Sequence, residues 1–415
     1  MTASCSSAVP GVESKTPAAG DGGATYDIVF AGAGLAGLNL AARLAALPDP
    51  PRMLLVDPDQ TESNDRTWCH WQLHEGIFDD AITHRWHRWN VSTGSDVANV
   101  SSQSIPYVRI PSDRFRRIAR QKIDACRQAE FLRKVSVDSI DEHPDHASIY
   151  LSDGRRINSS WVFDSRPPQN ENAPWRQIFR GLELHSPEVK LDTSTVTLMD
   201  FQSAGPEGIR FFYVLPLDAH TALVEDTWLV PSGRIPTFSD DEILSYAAKN
   251  LSPTNWQVRH REEGNLPMGS SHSVSSALFA YGPSPSRSRG TPVAVKKNQR
   301  VIPWGTAAGA VRASSGYAFS RIQTASERMA AAWQRSGRPD PAAVHGSALL
   351  DWMDRVFLRA MANQPERVPE FFFHLFKRVP PEALIRFLES EPRPADILQV
   401  MRALPIGPFL RAALP

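Results

Sequence analysis

The stretch YDIVFAGAGLAGLNLAARLAAL, Tyr26 to Leu47, constrains the fold of this chain more than any other. Tyr26 to Ala31 is a short apolar run, a glycine turn follows, and Leu and Ala then recur at helical spacing from Leu35 to Leu47. That order predicts strand, turn and helix. Gly32, Gly34 and Gly37 satisfy G-x-G-x-x-G at the turn. The first glycine turns the chain, the second admits a pyrophosphate, and the third lets helix approach strand, while N–H groups at the helix start, at Leu35 and Ala36, face the anion. MLLVDPD (Met53 to Asp59) supplies the next strand and closes a β-α-β unit. Asp57, at its end, is placed to accept the hydroxyls of a ribose. A third strand is expected at SSWVFDSRPP, Ser159 to Pro168, where an apolar run ends in Asp164, a further candidate contact of the cofactor.

A second glycine turn, PWGTAAGAVRASSGYAF, lies far downstream between a short strand and a helix. Two-part sites of this kind suit an extended flavin, whose isoalloxazine lies well away from its adenine, so FAD is favoured over NAD. Gly305, Thr306 and Gly309 are the candidate contacts there. Many flavoproteins carry Gly-Asp at this turn; here it is Gly305-Thr306, which leaves a hydroxyl where an acid often stands.

Between these landmarks, a helix is expected to start near Ser112 or Asp113, and alternation with an SDGR turn predicts a hairpin before Ile157. From Val196 to Leu229 the pattern is strand-like. The expected architecture is α/β: a Rossmann-like FAD-binding domain (25–95, 112–170 and 300–338), an inserted antiparallel β-sheet substrate domain (96–111 and 171–299) and a helical C-terminal region (339–415). Residues 1–24 read as a disordered tail, and the Ser-, Pro- and Gly-rich 269–299 segment as an exposed loop.

The strand-like run YVLPLDAHTALVEDTW, Tyr213 to Trp228, ends with two adjacent acids, Glu225 and Asp226. An ionised side chain on a half-buried pleated surface is costly unless paired. Alternation sends adjacent residues to opposite faces, so one of the two is expected to face a site and the other to support it.

The charge totals exclude other classes. Forty-five basic and 45 acidic side chains cancel, so no overall field points to nucleic acid. Cys5, Cys69 and Cys126 have no metal-ligand spacing, and His70 and His74 lack a third ligand, so no metal is expected. No apolar run is long enough to span a bilayer, and the start does not read as a signal peptide. The expected location is cytoplasmic, with peripheral association at the inner face of the membrane.

NDRTWCHW (Asn64 to Trp71), LMDF, GIRFFYVLPL, ALVEDTWL, EEGNLPM (Glu262 to Met268), GTAAG, SSGYAFSRIQ, DRVFLRAM, LIRFLES and DILQVMRALP occur in this order along the chain. In that order and spacing the chain resembles the bacterial lycopene β-cyclases, flavin-dependent enzymes of carotenoid synthesis, from about Tyr26 to the C-terminus. The resemblance implies redox-neutral cyclisation of the linear ends of lycopene to β-ionone rings, through γ-carotene to β-carotene. It implies reduced FAD, with NAD(P)H as the electron source, and picks Glu225 as the acid–base residue with Asp226 in support.

Lycopene or a related linear carotenoid is then the substrate, with other carotenoid-forming enzymes as candidate partners. Trp68, Phe212, Tyr213 and Tyr317 are the candidate substrate contacts; Trp71, Trp86, Trp89 and Phe211 are weighed beside them, each against a place in the core. A hydrocarbon substrate must be reached from lipid, and the helices around Phe357 and Phe371 to Phe376, followed by Lys377 and Arg378, are expected to dip into the membrane surface. Two alternatives remain at this stage: a monooxygenase or polyprenyl reductase on the same scaffold, or a non-catalytic carotenoid carrier.

Overall fold

Thr25–Ala31 is the middle of a mostly parallel sheet, and its last four residues are completely buried, as a strand covered on both faces requires. The computed structural model describes residues 25–59, 63–94, 96–167, 173–252, 255–269, 299–340 and 346–414. The expected N-terminal tail and nearly all of the 269–299 loop lie outside them. Met53–Asp57 and Arg156–Asp164 flank the middle strand in parallel, with Ala129–Arg133 beyond the former and Val301–Pro303 also parallel to the latter. Ala147–Leu151 pairs antiparallel with Arg156–Asp164 across the expected SDGR turn, and Val137–Glu142 lies beyond it at the other edge. Leu35–Ala45 packs its Leu and Ala face against this sheet and against Phe319–Ser336. The helix expected near residue 112 is Ser112–Asp124.

A second sheet of seven strands runs in the order Gln257–Met268, Trp175–His185, Thr221–Pro231, Gly208–Pro216, Thr195–Gly205, Arg88–Thr93 and Asp96–Ser101. All its pairings are antiparallel except that of Thr195–Gly205 with Arg88–Thr93. The expected boundary at residue 95 therefore does not follow the sheets. Arg88–Thr93 belongs to this second sheet, because the hairpin it makes with Asp96–Ser101 completes the sheet's edge. Tyr107–Pro111, expected with the substrate domain, instead pairs with Thr67–Trp71 and His84–Trp86 in a small third sheet. That sheet lies between the other two.

Five helices, Ala348–Asn363, Val368–Arg378, Pro381–Leu388, Pro394–Ala403 and Ile406–Ala413, share one apolar core with the second sheet. The expectation that Phe357 and Phe371 to Phe376 face lipid does not hold. Phe357, Phe371, Phe372, Phe373 and Phe376 are all buried, because the inner face of the second sheet needs a cover and these rings supply it. No helix among the described residues is long and apolar enough to cross a membrane.

Candidate active site

The two glycine turns meet at the start of the first helix. Gly32 adopts φ +103°, and its N–H donates to Val56 O at 2.9 Å, tying the turn to the next strand. A methyl group on Gly37 would lie 2.3 Å from Gly32 O, so only glycine lets helix and strand approach this closely. Nothing lies within 4 Å of the place a Cβ on Gly34 would occupy, so the middle of the turn opens to a cleft. Gly305, with φ +63°, brings the second turn onto Ala36: a Cβ there would be 2.5 Å from the Ala36 Cβ. The indole Nε1–H of Trp304 donates to Ala36 O at 2.9 Å, and Gly309 ends the turn in the left-handed region. Leu35 and Thr306 are half-buried beside this junction.

Two acids in this region are engaged by the protein itself. Asp57 accepts the N–H of Ala33 at 2.5 Å and that of Asp59 at 2.8 Å, which leaves further lone pairs on both oxygens. Asp164 is gripped by Arg166 through two hydrogen bonds of 2.9 and 2.8 Å. Its contribution is its backbone carbonyl, which receives Trp304 N–H. The neighbouring Ser165 closes on the first turn by donating to the carbonyls of Ala31 and Gly32.

Glu225 lies in the second sheet, in a row that crosses four strands. Tyr213 pairs with Glu225, Glu225 with Gly181, and Gly181 with Glu262. Directly paired residues share a face, so these four line one surface. Gly181 leaves a gap between the two acids. A Cβ at Gly181 would be 3.0 Å from the Cγ of Glu225 and 3.0 Å from that of Glu262, so the side chains lean together over it. Their carboxyl groups are close enough to interact directly. Burial, then the neighbouring Glu262 carboxylate, pushes the Glu225 carboxyl well above the usual range, with Arg109 opposing.

The third sheet faces this row. Thr67 Oγ1 donates to Glu262 Oε2 at 2.9 Å. Cys69 stands opposite Arg109, which is buried and 3.7 Å from Glu183. Tyr107 and Tyr317 are hydrogen-bonded, and burial raises both phenols, as it does that of Tyr213, so all three are neutral. Tyr317 comes from the loop that joins the second glycine turn to Phe319–Ser336. That loop presses on the same strand as Gly181: a Cβ on Gly316 would lie 2.3 Å from Gln177 Oε1. The nucleotide turn and the carboxyl row are thereby linked by one short segment.

Three expected site residues lie elsewhere. Asp226 points to the opposite face, fully buried, where Arg210 donates to it twice, at 2.9 and 2.8 Å. Phe212 is on that face too, stacked on Tyr246 with ring centres 3.9 Å apart. Trp68 alternates with Thr67 and Cys69 and packs edge-on against Phe115 and beside Phe319, in the core of the nucleotide-binding half. Trp71, Trp86 and Trp89 are buried core. His70 stacks on Phe319, and burial lowers its pKa to about 3, so it is neutral; His74 pairs with Glu391 at the surface. Among the described residues no three potential metal ligands gather.

Sequence reasoning missed Gly181, Glu262, Arg109, Thr67 and Tyr107. Glu262 did carry a signal, a second pair of adjacent acids in the strand-like EEGNLPM. Which of its acids faced inward depended on a pairing register that sequence does not show.

Comparison with known proteins bears on this arrangement. A family described as lycopene cyclase protein matches residues 27–414. A lycopene beta-cyclase of Pantoea ananas is 24% identical over 93% of this chain and 97% of its own. A lycopene beta-cyclase of a Paracoccus species (strain N81106 / MBIC 01143) is 28% identical over the same shares. Among solved structures, the flavin-dependent brominase Bmp2 has a similar fold, with a TM-score of 0.56 at 13% identity over 91% of this chain and 97% of its own.

Proposed function

The chain belongs to the lycopene cyclase family, and from that premise we propose that it is a lycopene β-cyclase whose acid and base is Glu225. The observation that carries this reading is the place of the Glu225 carboxyl, beside Glu262 on the aromatic inner face of a sheet, where burial and that neighbour push its pKa well above the usual range. A group that keeps its proton at neutral pH in a water-poor pocket is suited to protonating an alkene.

In this reading Glu225 delivers its proton to C2 of the terminal C1=C2 bond of lycopene. A tertiary cation forms at C1, and the C5=C6 bond attacks it to form the C1–C6 bond. The positive charge moves to C5, and the carboxylate of Glu225 takes the proton from C6, which restores the C5=C6 double bond. Atoms and electrons balance without an oxidant or reductant. The neutral phenols of Tyr213, Tyr107 and Tyr317 line the route with π faces that favour a passing cation. Two such events convert lycopene through γ-carotene to β-carotene.

The residues at the two glycine turns fit FAD. With open space over Gly34, a close approach at Gly37 and Gly305 packed on Ala36, the helix start would hold the pyrophosphate, Asp57 would accept from the ribose and Thr306 would bond the ribityl chain. Bound there in reduced form, with NAD(P)H as electron source, a flavin would supply fixed negative charge near the cation.

The reading also places the protein at the inner face of a membrane. Leu398, Met401, Ile406, Leu410 and Leu414 are 52–78% exposed on the last two helices, beside the exposed Arg402 and Arg411. Met401, Ile406 and Leu410 rim a groove of about 310 Å³ lined by Trp352, Phe357, Phe372 and Phe409. From Phe372 an aromatic series runs through Phe201 and Phe211 to Tyr213, with ring centres 5.3 to 6.0 Å apart, and Tyr213 pairs with Glu225. This surface replaces the buried phenylalanines as the point of contact with lipid. Other carotenoid-forming enzymes are candidate neighbours on the same membrane.

The test is pigment analysis of bacteria that accumulate lycopene and express this chain. The expected result is an isomer of unchanged mass with a β-ring spectrum, absent with Glu225→Gln. Unchanged lycopene beside abundant, flavin-loaded protein would contradict the reading.

A further inference from the structure

We propose that Glu262 is a positioning residue that shares a single proton with Glu225, and that position 181 is kept free of a side chain so that the two carboxyls meet. The inference rests on the cyclase reading above. Glu225 and Glu262 are on strands separated by a third, so their Cα atoms are roughly 10 Å apart at the usual strand spacing. Any residue but glycine at position 181 would put its Cβ against both Cγ atoms.

Two buried carboxylates cannot touch while both are ionised, but one proton between them makes a short, charge-assisted hydrogen bond. The surroundings say which carboxyl holds it. Glu262 is 3% exposed and already accepts a hydrogen bond from Thr67 on Oε2. Its other oxygen, Oε1, is buried without an N–H or hydroxyl donor, and a protonated Glu225 would satisfy it. Glu225 is half-buried and shares its face of the sheet with Tyr213, the end of the aromatic series, so its proton faces the route a substrate would take.

The other titratable groups that face Glu225 do not change this assignment. Arg109, the cation on the third sheet, is shared with Glu183. Cys69 and Tyr213 are held neutral by burial and by Glu225 itself. Tyr107 and Tyr317 are neutral phenols. The pair therefore carries one negative charge at rest. When the proton passes to C2, the substrate becomes a cation beside two carboxylates; when C6 loses its proton, Glu225 regains it and the pair is restored.

The test uses flavin-loaded, reduced full-length protein with Glu262→Gln and, separately, Gly181→Ala. Two quantities are followed against pH: the rate of lycopene conversion, and the infrared band of the protonated Glu225 carboxyl, identified by its loss in Glu225→Gln. With Glu262→Gln, both the alkaline loss of activity and the loss of the band are expected to move at least one pH unit lower. Activity above the shifted midpoint then falls about tenfold per unit and is regained on acidification. Gly181→Ala, which parts the carboxyls without removing either, should shift both in the same direction. A uniform loss of rate with no shift of the band in either variant would overturn the inference and leave Glu262 a structural residue. Failure of the cyclase reading looks different: the wild-type protein would convert no lycopene at any pH, while the band would still report on the pair.

Discussion

Asp226 is joined to Arg210 by two hydrogen bonds of 2.9 and 2.8 Å on the face of its strand opposite Glu225. Arg210 also reaches Glu242 at the start of a helix, so the pair fastens that helix to the sheet. Removing one partner of a buried ion pair costs about 3–5 kcal/mol. Because Arg210 is 18% exposed and retains Glu242, Asp226→Asn should cost about 3 kcal/mol, the lower end of that range. Denaturant unfolding measures this. The folded fraction should still turn over at a rate within a few-fold of the wild type, whereas Glu225→Gln should fold normally and be inactive.

Glu389 predicts a pH dependence of stability. It is buried, accepts Trp71 N–H at 2.8 Å, and burial pushes its pKa from 4.5 to about 7. The folded protein therefore binds a proton that the unfolded chain releases between these values. Its penalty is absent below pH 4.5, grows as pH rises, and reaches about 3 kcal/mol above pH 7. Glu389→Gln, which can still accept the Trp71 N–H, should raise the melting temperature at pH 8 and leave it unchanged at pH 4.5. An equal gain at both pH values would contradict the assignment.

The glycine at position 37 should be indispensable for holding flavin. Gly37→Ala places a methyl group 2.3 Å from Gly32 O, which must push helix and strand apart. Purified Gly37→Ala protein should lose its flavin absorbance. Gly34→Ala, where the added methyl meets no atom within 4 Å, should retain folding but weaken flavin affinity by crowding the open turn.

For membrane contact, Ile406→Glu with Leu410→Glu removes two of the most exposed apolar side chains of the last helix, and both positions already face solvent. Flotation with vesicles containing anionic lipid should show at least tenfold weaker binding, since each buried methylene contributes about 0.8 kcal/mol. The melting temperature should be unaffected.

The nucleotide-binding half was legible because its signals are local. Gly32, Gly34 and Gly37 fall within six residues of one another, and the apolar runs on either side specify strand and helix by length and spacing. Alternation also separated Glu225 from Asp226. It did not say which neighbours share the face of Glu225, since that requires the register between strands far apart in sequence. Gly181 lies 81 residues before Glu262, and a slip of one residue would have put Glu263 on the inner face instead. The misplacement of Phe212 and Trp68 has the same origin, a parity that only pairing resolves. The phenylalanines of Val368–Arg378 were misread for another reason: a helix apolar on much of its surface suits either lipid or a sheet in need of cover, and sequence alone does not choose.

Acid–base cyclisation by Glu225 is tested most directly by turnover of lycopene in D2O with reduced, flavin-loaded protein, followed by mass spectrometry. A proton drawn from an exchangeable carboxyl and returned from C6 predicts β-carotene with up to one deuterium per ring, fixed at C2, and no net consumption of NAD(P)H. A product heavier by two hydrogens or by oxygen, formed with stoichiometric loss of reductant, would contradict it.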